Sequence, residues 1–366
     1  MSVTLNASPV EQVPGVLAID AGNSKTDVAI VALDGTVLGS ARGEGFRPYR
    51  DGPDQAIQNL TPTVHAAALE AGLAPDRILT TRVSACMANV DLPVEERRFR
   101  AAIAAQGWAG TVAVTNDTFG LLRAGTDGPR GVAVVCGAGI NCAGLLPDGR
   151  TARFPALGRL TGDWGGGGTL SAEAMWHAAR AEDGRGAPTA LSSAIATHFG
   201  LPGANAVAEA IHLGQLPEHR LHELVAVLFT TAEAGDPTAL HLIDRQADEI
   251  TRLAVVALRR LDLLHEPTPV VLGGGVLAAH QPLLIDNVTA RLAAQAPLAE
   301  PRIVIAPPVL GAALLGLDHL SADPTAELRL RAAYPTARPP AIAFTNRTGQ
   351  KHDSGSSCPK RTAERI

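Results

Sequence analysis

A polar turn separates two apolar runs near the start of the chain, in the stretch LAIDAGNSKTDVAIVALDGTVLG (residues 17–39). Asp20 ends the first run, and Gly22, Ser24 and Thr26 lie in the turn that follows. Glycine lets a backbone approach its ligand closely, and unpaired N–H groups with two hydroxyls can hold phosphate oxygens. Because a carboxylate tolerates phosphate best with Mg²⁺ between them, the turn predicts a phosphate and magnesium site. The alternative is an ordinary hairpin in which Asp20 caps the turn.

Two further glycine turns follow apolar runs later in the chain. CGAGIN covers residues 136–141, and LGGGVL covers residues 272–277. One such turn is weak support for a phosphate site. Three of them in one chain, each after a predicted strand, favour a nucleotide-binding protein.

A second aspartate, Asp117, stands in the stretch VTNDTFG (residues 114–120). It follows a predicted strand and begins a predicted helix, so it could simply be a helix-capping residue. A carboxylate at the end of a strand can also act as the general base that takes the proton of a substrate hydroxyl. Both interpretations are compatible with this stretch alone.

Short apolar runs joined by tight turns predict the elements that must position these residues. Residues 16–20, 26–33 and 36–41 predict three antiparallel strands. A helix over residues 54–72, kinked at Pro62, is expected next, because proline disrupts a helix interior. The order β-β-β-α-β-α-β-α is then complete by about residue 125.

The second half begins with the same pattern. Residues 131–154 predict a strand, a glycine turn, a strand, an Asp-Gly turn and a strand, which is a weak internal repeat. The stretch over about residues 168–263 is mostly helical by pattern, and strands and helices follow it. We therefore expect an α/β protein with lobes at 15–125 and 126–320, a helical insertion at about 168–263 in the second, and a disordered tail at 336–366.

Composition excludes several classes of protein. The 366 residues are 46% hydrophobic and carry a formal net charge of -5, which gives no reason to expect a nucleic acid partner. The start of the chain lacks the features of a secretory signal, and no apolar run reaches the roughly 18 residues of a membrane span. A cytoplasmic protein is expected. The four cysteines lack the spacing of a metal site, so we expect buried core residues at Cys86, Cys136, Cys142 and Cys358.

Taken together, six segments resemble the motifs of the actin-like sugar kinases in their order along the chain. These are AIDAGNSKTDVAIV, TNDTFGLLRAG, VVCGAGINCAGLLPDG, LGRLTGDWGGGG, VVLGGGVLA and APPVLGAALLGL. The chain is most similar to the N-acetylglucosamine kinase group within the BadF/BadG/BcrA/BcrD ATPase family, over about residues 15–320. The resemblance implies two ribonuclease-H-like lobes of the actin-like ATPase fold, with ATP and a sugar in the cleft between them.

The resemblance also implies roles for individual residues. Asp20 corresponds to the aspartate linked to Mg²⁺, and Asp117 corresponds to the catalytic base. The positions that would bind ATP are Gly22, Asn23, Ser24, Lys25, Thr26, Gly137, Gly139, Gly273, Gly274 and Gly275. The positions that would contact the sugar are Asn116, Asn141, Gly158, Gly162 and Asp163.

The chain departs from the family pattern at three places. Ala138 stands where a threonine is common in the second phosphate loop, and Trp164 stands where an acid often lies. The tryptophan could stack on a sugar or pack in the core. The loop GEGFRPYRDG (residues 43–52) lacks the expected asparagine, and its Phe46 and Tyr49 could cover the methyl of an N-acetyl group.

The expected activity is ATP-dependent phosphorylation of N-acetylglucosamine on its 6-hydroxyl. Glucosamine, N-acetylmuramic acid and glucose are alternative substrates, and Arg47 and Arg50 could pair with the carboxylate of N-acetylmuramic acid. Another class is the ATPase activator of a radical dehydratase, which needs cysteines for an iron–sulfur cluster. A sugar-sensing regulator is a third option, although no helix-turn-helix precedes residue 15. The oligomeric state is open, a homodimer included.

Overall fold

The computed structural model describes residues 12–334, which contain two mixed five-stranded sheets. The first sheet has the order β3-β2-β1-β4-β5, and the second has the order β10-β9-β6-β7-β8. Strands of the first sheet are β1 (Val13–Ala21), β2 (Lys25–Ala32), β3 (Val37–Glu44), β4 (Thr80–Met87) and β5 (Ala109–Asn116). Strands of the second are β6 (Gly131–Cys136), β7 (Ile140–Leu145), β8 (Thr151–Arg153), β9 (Thr268–Gly273) and β10 (Ala299–Ile303).

Each sheet begins with an antiparallel meander and continues with parallel strands. Strand β1 pairs with β2 in antiparallel register and with β4 in parallel register. Strand β6 pairs in the same way with β7 and β9. The sheets are therefore built on the same plan, as the internal repeat in the sequence predicts.

The same two-residue turn closes the outer hairpin of each sheet. Gly35 and Gly149 both have a φ of 86°, which favours glycine. The aspartates before them, Asp34 and Asp148, each accept a hydrogen bond from the backbone N–H two residues further on, at 2.9 Å in both cases. Local turn chemistry therefore fixes the outer hairpin of each sheet.

The helices of the first half lie between its strands and after the last of them. They are α1 (Pro48–Asp51), α2 (Pro53–Gln58), α3 (Thr61–Glu70), α4 (Pro93–Ala104) and α5 (Asp117–Ala124). The prediction of one helix kinked at Pro62 is wrong, because the chain ends α2 and starts α3 with Pro62 in its first turn. A first-turn proline costs little, since its missing N–H would have no partner there.

Helices α6 to α10 fill the predicted insertion between β8 and β9, and α11 to α14 follow β9. Their bounds are α6 (Gly166–Glu182), α7 (Leu191–Phe199), α8 (Ala204–His212), α9 (Leu224–Glu233), α10 (Pro237–Arg260), α11 (Gly275–Ala278), α12 (Pro282–Gln295), α13 (Pro308–His319) and α14 (Pro324–Ala333). The insertion shares one hydrophobic core with the second sheet, in which Leu170, Leu228 and Ile250 are buried with Val134. The insertion therefore packs directly on the second sheet.

The last two helices return to the first sheet. Val16 and Val31 of that sheet are buried in one cluster with Leu310 and Leu314 of α13 and with Leu330 of α14. Residues near the end of the described chain therefore complete the core of the first half. The exact division into lobes stays a prediction, and the expected tail lies outside the described residues.

Three cysteines are confirmed as buried core residues. Cys86 lies in the cluster formed with α13, and Cys136 and Cys142 lie in the core of the second sheet. Cys358 falls outside the described residues. Between residues 12 and 334, no helix is long and apolar enough to cross a membrane.

Candidate functional site

Parallel strands bring the first predicted site residues to one edge of the first sheet. The register places Asp20 of β1 opposite Cys86 of β4, and Met87 of β4 opposite Asn116 of β5. Asp117 follows directly as the first residue of α5. The carboxyl ends of β1, β4 and β5 therefore share the edge at which α/β sheets usually bind ligands.

Asp20 is a buried carboxyl group whose burial is only partly offset by the positive charges of Lys25 and Arg42. It is 7% exposed, and no side-chain hydrogen bond to it is found within residues 12–334. Burial, followed by the nearby charges of Asp117 and Asp27, raises its pKa to about 8. Such a group gains most from a cation, so an oxygen ligand at this position fits Mg²⁺.

Asp117 is held at the N-terminus of α5 by its neighbour. The Asn116 side chain caps the helix, since its Oδ1 accepts a hydrogen bond from the Thr118 N–H at 2.9 Å. Burial raises the pKa of Asp117 to about 6, against the opposing effect of hydrogen bonds from the backbone. The capping role therefore belongs to Asn116, and Asp117 is left with a pKa suited to proton transfer near neutral pH.

The first predicted phosphate loop is a tight turn closed by its own backbone. The Gly22 N–H donates to the Lys25 carbonyl at 3.0 Å. Asn23 and Ser24 are exposed, and the Lys25 ammonium pairs with Asp27 at 3.0 Å. Thr26 is fully buried and its Oγ1 has no hydrogen-bond partner in the described chain, so the structure does not bring this hydroxyl to the loop surface.

The other two glycine turns lie against each other. Gly274 has a φ of 86°, and a Cβ on it would lie 2.6 Å from the Cys136 carbonyl oxygen. The glycine run at the start of α6 closes on the same turn, because the Gly167 N–H donates to the Gly137 carbonyl at 2.7 Å. Only glycine allows backbones to approach so closely. Gly273 is different, because a Cβ there would meet the Leu121 side chain of α5.

A cavity of about 420 Å³ joins the three turns. Ser24 comes from the first turn, Gly137 and Ala138 from the second, and Gly275 from the third. Its apolar wall is formed by Val225, Ala226, Phe229, Val276 and Ala279. A pocket that combines the backbone of glycine turns with apolar side chains can hold a nucleotide.

Two predicted sugar-contact residues meet at a third side chain. Asn116 Nδ2 donates to Asp91 Oδ1 at 2.9 Å, and Asn141 Nδ2 donates to the same oxygen at 3.2 Å. Asn116 lies at the end of β5 in the first sheet, and Asn141 lies in β7 of the second. Both asparagines are predicted sugar contacts, whereas the carboxylate between them is not among the predicted site residues.

One feature of the sequence could have identified Asp91 as a candidate site residue. It follows β4 closely, and a polar residue after a parallel strand is a candidate ligand contact. Burial, followed by the charges of Asp117, Glu95 and Asp163, raises its pKa to about 7. Asp91 thus lies near two of the three predicted site aspartates, Asp117 and Asp163.

The loop around Asp163 depends on two glycines. Gly158 and Gly162 have φ values of 65° and 84°, and the Asp163 N–H donates to the Gly158 carbonyl at 3.0 Å. The Thr161 hydroxyl donates to Asp163 Oδ2 at 2.6 Å. Beside this loop lies a cavity of about 210 Å³, whose apolar wall is formed by Ile140, Phe154, Trp164, Leu253 and Val256.

The expectation for Phe46 is wrong. Its side chain is 1% exposed and packs edge-on against Phe99 of α4, with ring centroids 5.3 Å apart, so it belongs to the core of the first sheet. Tyr49 is exposed, and its hydroxyl donates to Glu95 at 2.7 Å. An apolar cover for a sugar substituent must therefore come from other residues, because Phe46 is already used in folding.

Trp164 packs in the second core. It is 6% exposed, and the Arg245 guanidinium lies 4.0 Å from its ring centroid.

Of the two loop arginines, Arg47 donates through Nε to the Asn23 carbonyl at 2.9 Å, and Arg50 pairs with Asp51 at 2.7 Å. Both arginines already have partners within the first half of the chain.

No group of three or more His, Cys, Asp or Glu side chains in the described part of the chain is arranged to hold a metal ion. A magnesium ion needs no such group, because it is commonly held by one or two carboxylates together with substrate phosphates and water. The buried Asp20 carboxyl, which lies near the end of β1 just before the first predicted phosphate loop, fits that kind of binding.

Comparisons with known proteins agree with this geometry. The sequence profile of the BadF/BadG/BcrA/BcrD ATPase family matches residues 17–316. An N-acetylmuramic acid/N-acetylglucosamine kinase from Clostridium acetobutylicum is 24% identical over 264 residues, which are 72% of this chain and 85% of the relative. An N-acetyl-D-glucosamine kinase from Dictyostelium discoideum is 26% identical over 208 residues, 56% of this chain and 65% of the relative.

A solved structure has the same fold. It is that of a candidate N-acetylglucosamine kinase from Chromobacterium violaceum, with a TM-score of 0.64 and 23% sequence identity. The alignment covers 83% of this chain and 99% of that one. The predicted actin-like fold of two ribonuclease-H-like lobes is confirmed.

Proposed function

The chain belongs to the BadF/BadG/BcrA/BcrD ATPase family, and from this premise we propose that it is an ATP-dependent kinase that phosphorylates N-acetylglucosamine on the 6-hydroxyl. The observation that carries the proposal is the position of Asp117. It begins α5 directly after β5, on the same edge of the first sheet as Asp20, and its charge contributes to the raised pKa of Asp20. A base beside phosphate loops is what phosphoryl transfer to a hydroxyl requires.

In the proposed reaction, Asp117 accepts the proton of the sugar hydroxyl while the hydroxyl oxygen forms a bond to the γ-phosphorus of ATP. The bond between that phosphorus and the bridging oxygen breaks, and ADP leaves with the electron pair. A pKa of about 6 keeps most of the Asp117 carboxyl ionised at neutral pH, so it is ready to accept the proton.

The glycine turns would bind the phosphates of ATP, and the apolar wall of the 420 Å³ cavity would hold the nucleoside. A bound Mg²⁺ would neutralise negative charge on the phosphates. Asp20 would hold this ion, since it is a buried carboxyl without a hydrogen-bond donor among the described residues. Asn116, Asn141 and Asp163 would bind the sugar hydroxyls.

The choice of an amino sugar rests on the relatives. The two curated relatives carry the names of N-acetylglucosamine kinases, and one of them also acts by name on N-acetylmuramic acid. That second sugar is therefore the leading alternative, while glucosamine and glucose are less supported. The partners of Arg47 and Arg50 give no added support for a sugar carboxylate, because both side chains already bind within the protein.

The activator of a radical dehydratase is less well supported. Cys86 and Cys136 are fully buried and Cys142 is 1% exposed, whereas a cluster at a subunit interface needs thiolates at the surface. A sugar-sensing regulator remains compatible with the fold, since a fold does not determine activity. The retention of Asp20 and Asp117 favours the kinase.

ADP release measured against a panel of sugars tests the proposal, with the phosphorylated product identified by mass spectrometry and NMR. N-acetylglucosamine, N-acetylmuramic acid, glucosamine and glucose should be compared under one condition. Phosphate on the 6-oxygen of N-acetylglucosamine is the expected product. If another sugar is preferred, the substrate assignment is wrong and the kinase assignment holds. If no sugar is phosphorylated, both fail.

A further inference from the structure

The loop between β4 and α4, residues 88–92, contacts predicted site residues and is held in place by the protein. Asn89 has a φ of 61° and donates through Nδ2 to Asn23 Oδ1 of the first phosphate loop at 2.7 Å. The backbone N–H groups of Asp91 and of the next residue both donate to Glu95 Oε2 at 2.9 Å. These bonds fix the position from which the Asp91 side chain extends.

One oxygen of Asp91 receives donors from both sheets. Asn116 of β5 and Asn141 of β7 each donate through Nδ2 to Asp91 Oδ1, at 2.9 Å and 3.2 Å. Asn141 Nδ2 also lies 3.3 Å from Asn116 Oδ1, so the three side chains form a closed triangle. A single carboxylate oxygen thus holds the two asparagines together across the cleft.

Neither amide is free to turn within this triangle. Asn116 Oδ1 accepts from the Thr118 N–H at 2.9 Å, and Asn141 Oδ1 accepts from the Cys142 N–H at 2.7 Å. Each oxygen is therefore fixed by its own backbone, and each Nδ2 must face Asp91. The acceptor at Asp91 is what keeps these two donors close to each other.

We propose that Asp91 is a positioning residue that sets the relative placement of Asn116 and Asn141, and through them the sugar site between the two lobes. The positioning of the two asparagines follows from their hydrogen bonds to Asp91. That they bind a sugar rests on the proposed kinase function. Since the asparagines would contact the sugar both before and during the reaction, their misplacement weakens both states alike. Loss of Asp91 should therefore act on KM more than on kcat.

Two substitutions test this role. Asp91→Ala removes the acceptor and should raise KM for the sugar about tenfold or more, the effect of losing one or two hydrogen bonds, with kcat within about threefold. Asp91→Asn keeps an Oδ1 acceptor in the same place and should recover most of that loss. Asp148→Ala is the matched control, because Asp148 also follows a strand but caps a surface turn.

Three results would overturn the inference. An unchanged KM in Asp91→Ala would show that the asparagines hold their places alone. An Asp91→Asn variant as impaired as Asp91→Ala would show that the charge or the second oxygen matters, which means direct contact with a ligand. A fall in kcat with an unchanged KM would place Asp91 in the chemical step.

A measurement without substrate separates this inference from the proposed function. Urea unfolding midpoints are compared for Asp91→Ala, Asn141→Ala and the double variant. Because both side chains belong to one hydrogen-bonded triangle, the loss in the double variant should be smaller than the sum of the two single losses. Additive losses would refute the triangle even if the wild-type protein is an active kinase. Wild-type protein inactive on every sugar would refute the proposed function alone.

Discussion

The Arg123 guanidinium in the last turn of α5 forms a two-pronged ion pair with Asp318 near the end of α13. Nε lies 2.7 Å from Oδ2, and Nη2 lies 3.0 Å from Oδ1. The same guanidinium also donates to both carboxylate oxygens of Glu327 in α14. Since Asp117 begins α5, the helix that carries the proposed base is anchored at its other end to helices from the far end of the chain.

Arg123→Met should destabilise the protein strongly. The Arg123 side chain is 2% exposed, so its loss leaves two carboxylates partly buried without their shared cation. Removing one partner of a buried pair typically costs about 3 to 5 kcal/mol. The free energy of unfolding in urea measures the effect.

Arg329→Met is the control for this variant. Arg329 pairs with Asp34 at the surface, where both side chains are at least half exposed. Such pairs contribute about 1 kcal/mol or less. An equal decrease in the free energy of unfolding in the two variants would show that the Arg123 ion pairs stabilise the protein no more than a surface pair does.

Much of the fold follows from local sequence. The Asp-Gly turns at Asp34 and Asp148 define their hairpins within a few residues. The start of α5 at Asp117 is likewise set locally, by the Asn116 cap. The interpretation of Pro62 failed because a proline at a helix start and a proline inside a helix look alike in a pattern. Only the tertiary arrangement decides where α2 ends.

The site is less predictable, because its contacts span long distances in sequence. Asp91 binds asparagines that lie 25 and 50 residues further along the chain, and no local pattern joins them. The sequence leaves open that Phe46 covers a ligand, because its aromatic partner Phe99 lies 53 residues away and only the fold brings the two rings together. The glycine turns could be proposed as phosphate loops from sequence alone, because the features that such a loop requires occur in consecutive residues.

Asp117→Asn should abolish most of the activity. The amide cannot accept the hydroxyl proton, so kcat should fall by on the order of 10² or more while the sugar still binds. Steady-state kinetics together with calorimetric sugar binding measure both quantities. Near-normal turnover in this variant would remove Asp117 from the role of base.

The pH dependence of kcat/KM should follow the ionisation of Asp117. Its pKa is raised from 3.8 to about 6, and only the ionised carboxylate accepts a proton, so activity should fall as the pH drops through about 6. The profile should be recorded with saturating Mg²⁺, because Asp20 and Asp117 influence each other. Activity that stays level down to about pH 5 would contradict this assignment.

The raised pKa of Asp117 predicts that stability falls with rising pH, whereas activity rises. A carboxyl with a raised folded-state pKa favours folding when protonated, so its contribution is complete below its unfolded pKa and is lost as the pH rises through about 6. Without ligands, Asp117→Asn should therefore melt higher than wild type at about pH 8, by about 2 °C or more. At about pH 5 roughly half of this difference should remain, and the two should be nearly equal only below the unfolded pKa of 3.8. A lower melting temperature of the variant at the higher pH would show that the ionised carboxylate stabilises the fold.

Two neighbouring glycines should separate folding from nucleotide binding. Gly274→Ala places a Cβ against the backbone of Cys136 at a φ of 86°, so it should lower the melting temperature and distort the second phosphate loop. A Cβ on Gly275 meets no atom within 4 Å and faces the 420 Å³ cavity. Gly275→Ala should keep the melting temperature and raise KM for ATP. If both variants changed only stability, the turn would not bind the nucleotide.

The preference for an N-acetyl group should depend on the 210 Å³ cavity beside Asp163. An acetamido group needs polar partners and a small apolar wall, and the cavity offers Asp163 together with Ile140, Leu253 and Val256. We expect kcat/KM for N-acetylglucosamine to exceed that for glucose by at least about tenfold, since a site built for polar groups penalises a sugar without them.

Val256→Phe tests whether this cavity is the reason for the preference. The larger ring would fill part of the cavity, so kcat/KM should fall for N-acetylglucosamine and stay nearly constant for glucose, which has no acetamido group to place there. The melting temperature shows whether the new ring is accommodated, and the ratio of the two kcat/KM values is unaffected by a partial loss of folded protein. A ratio equal to that of the wild type would mean that the acetamido group binds elsewhere in the cleft. A loss shared by both sugars would place the whole sugar ring, rather than its substituent, against Val256.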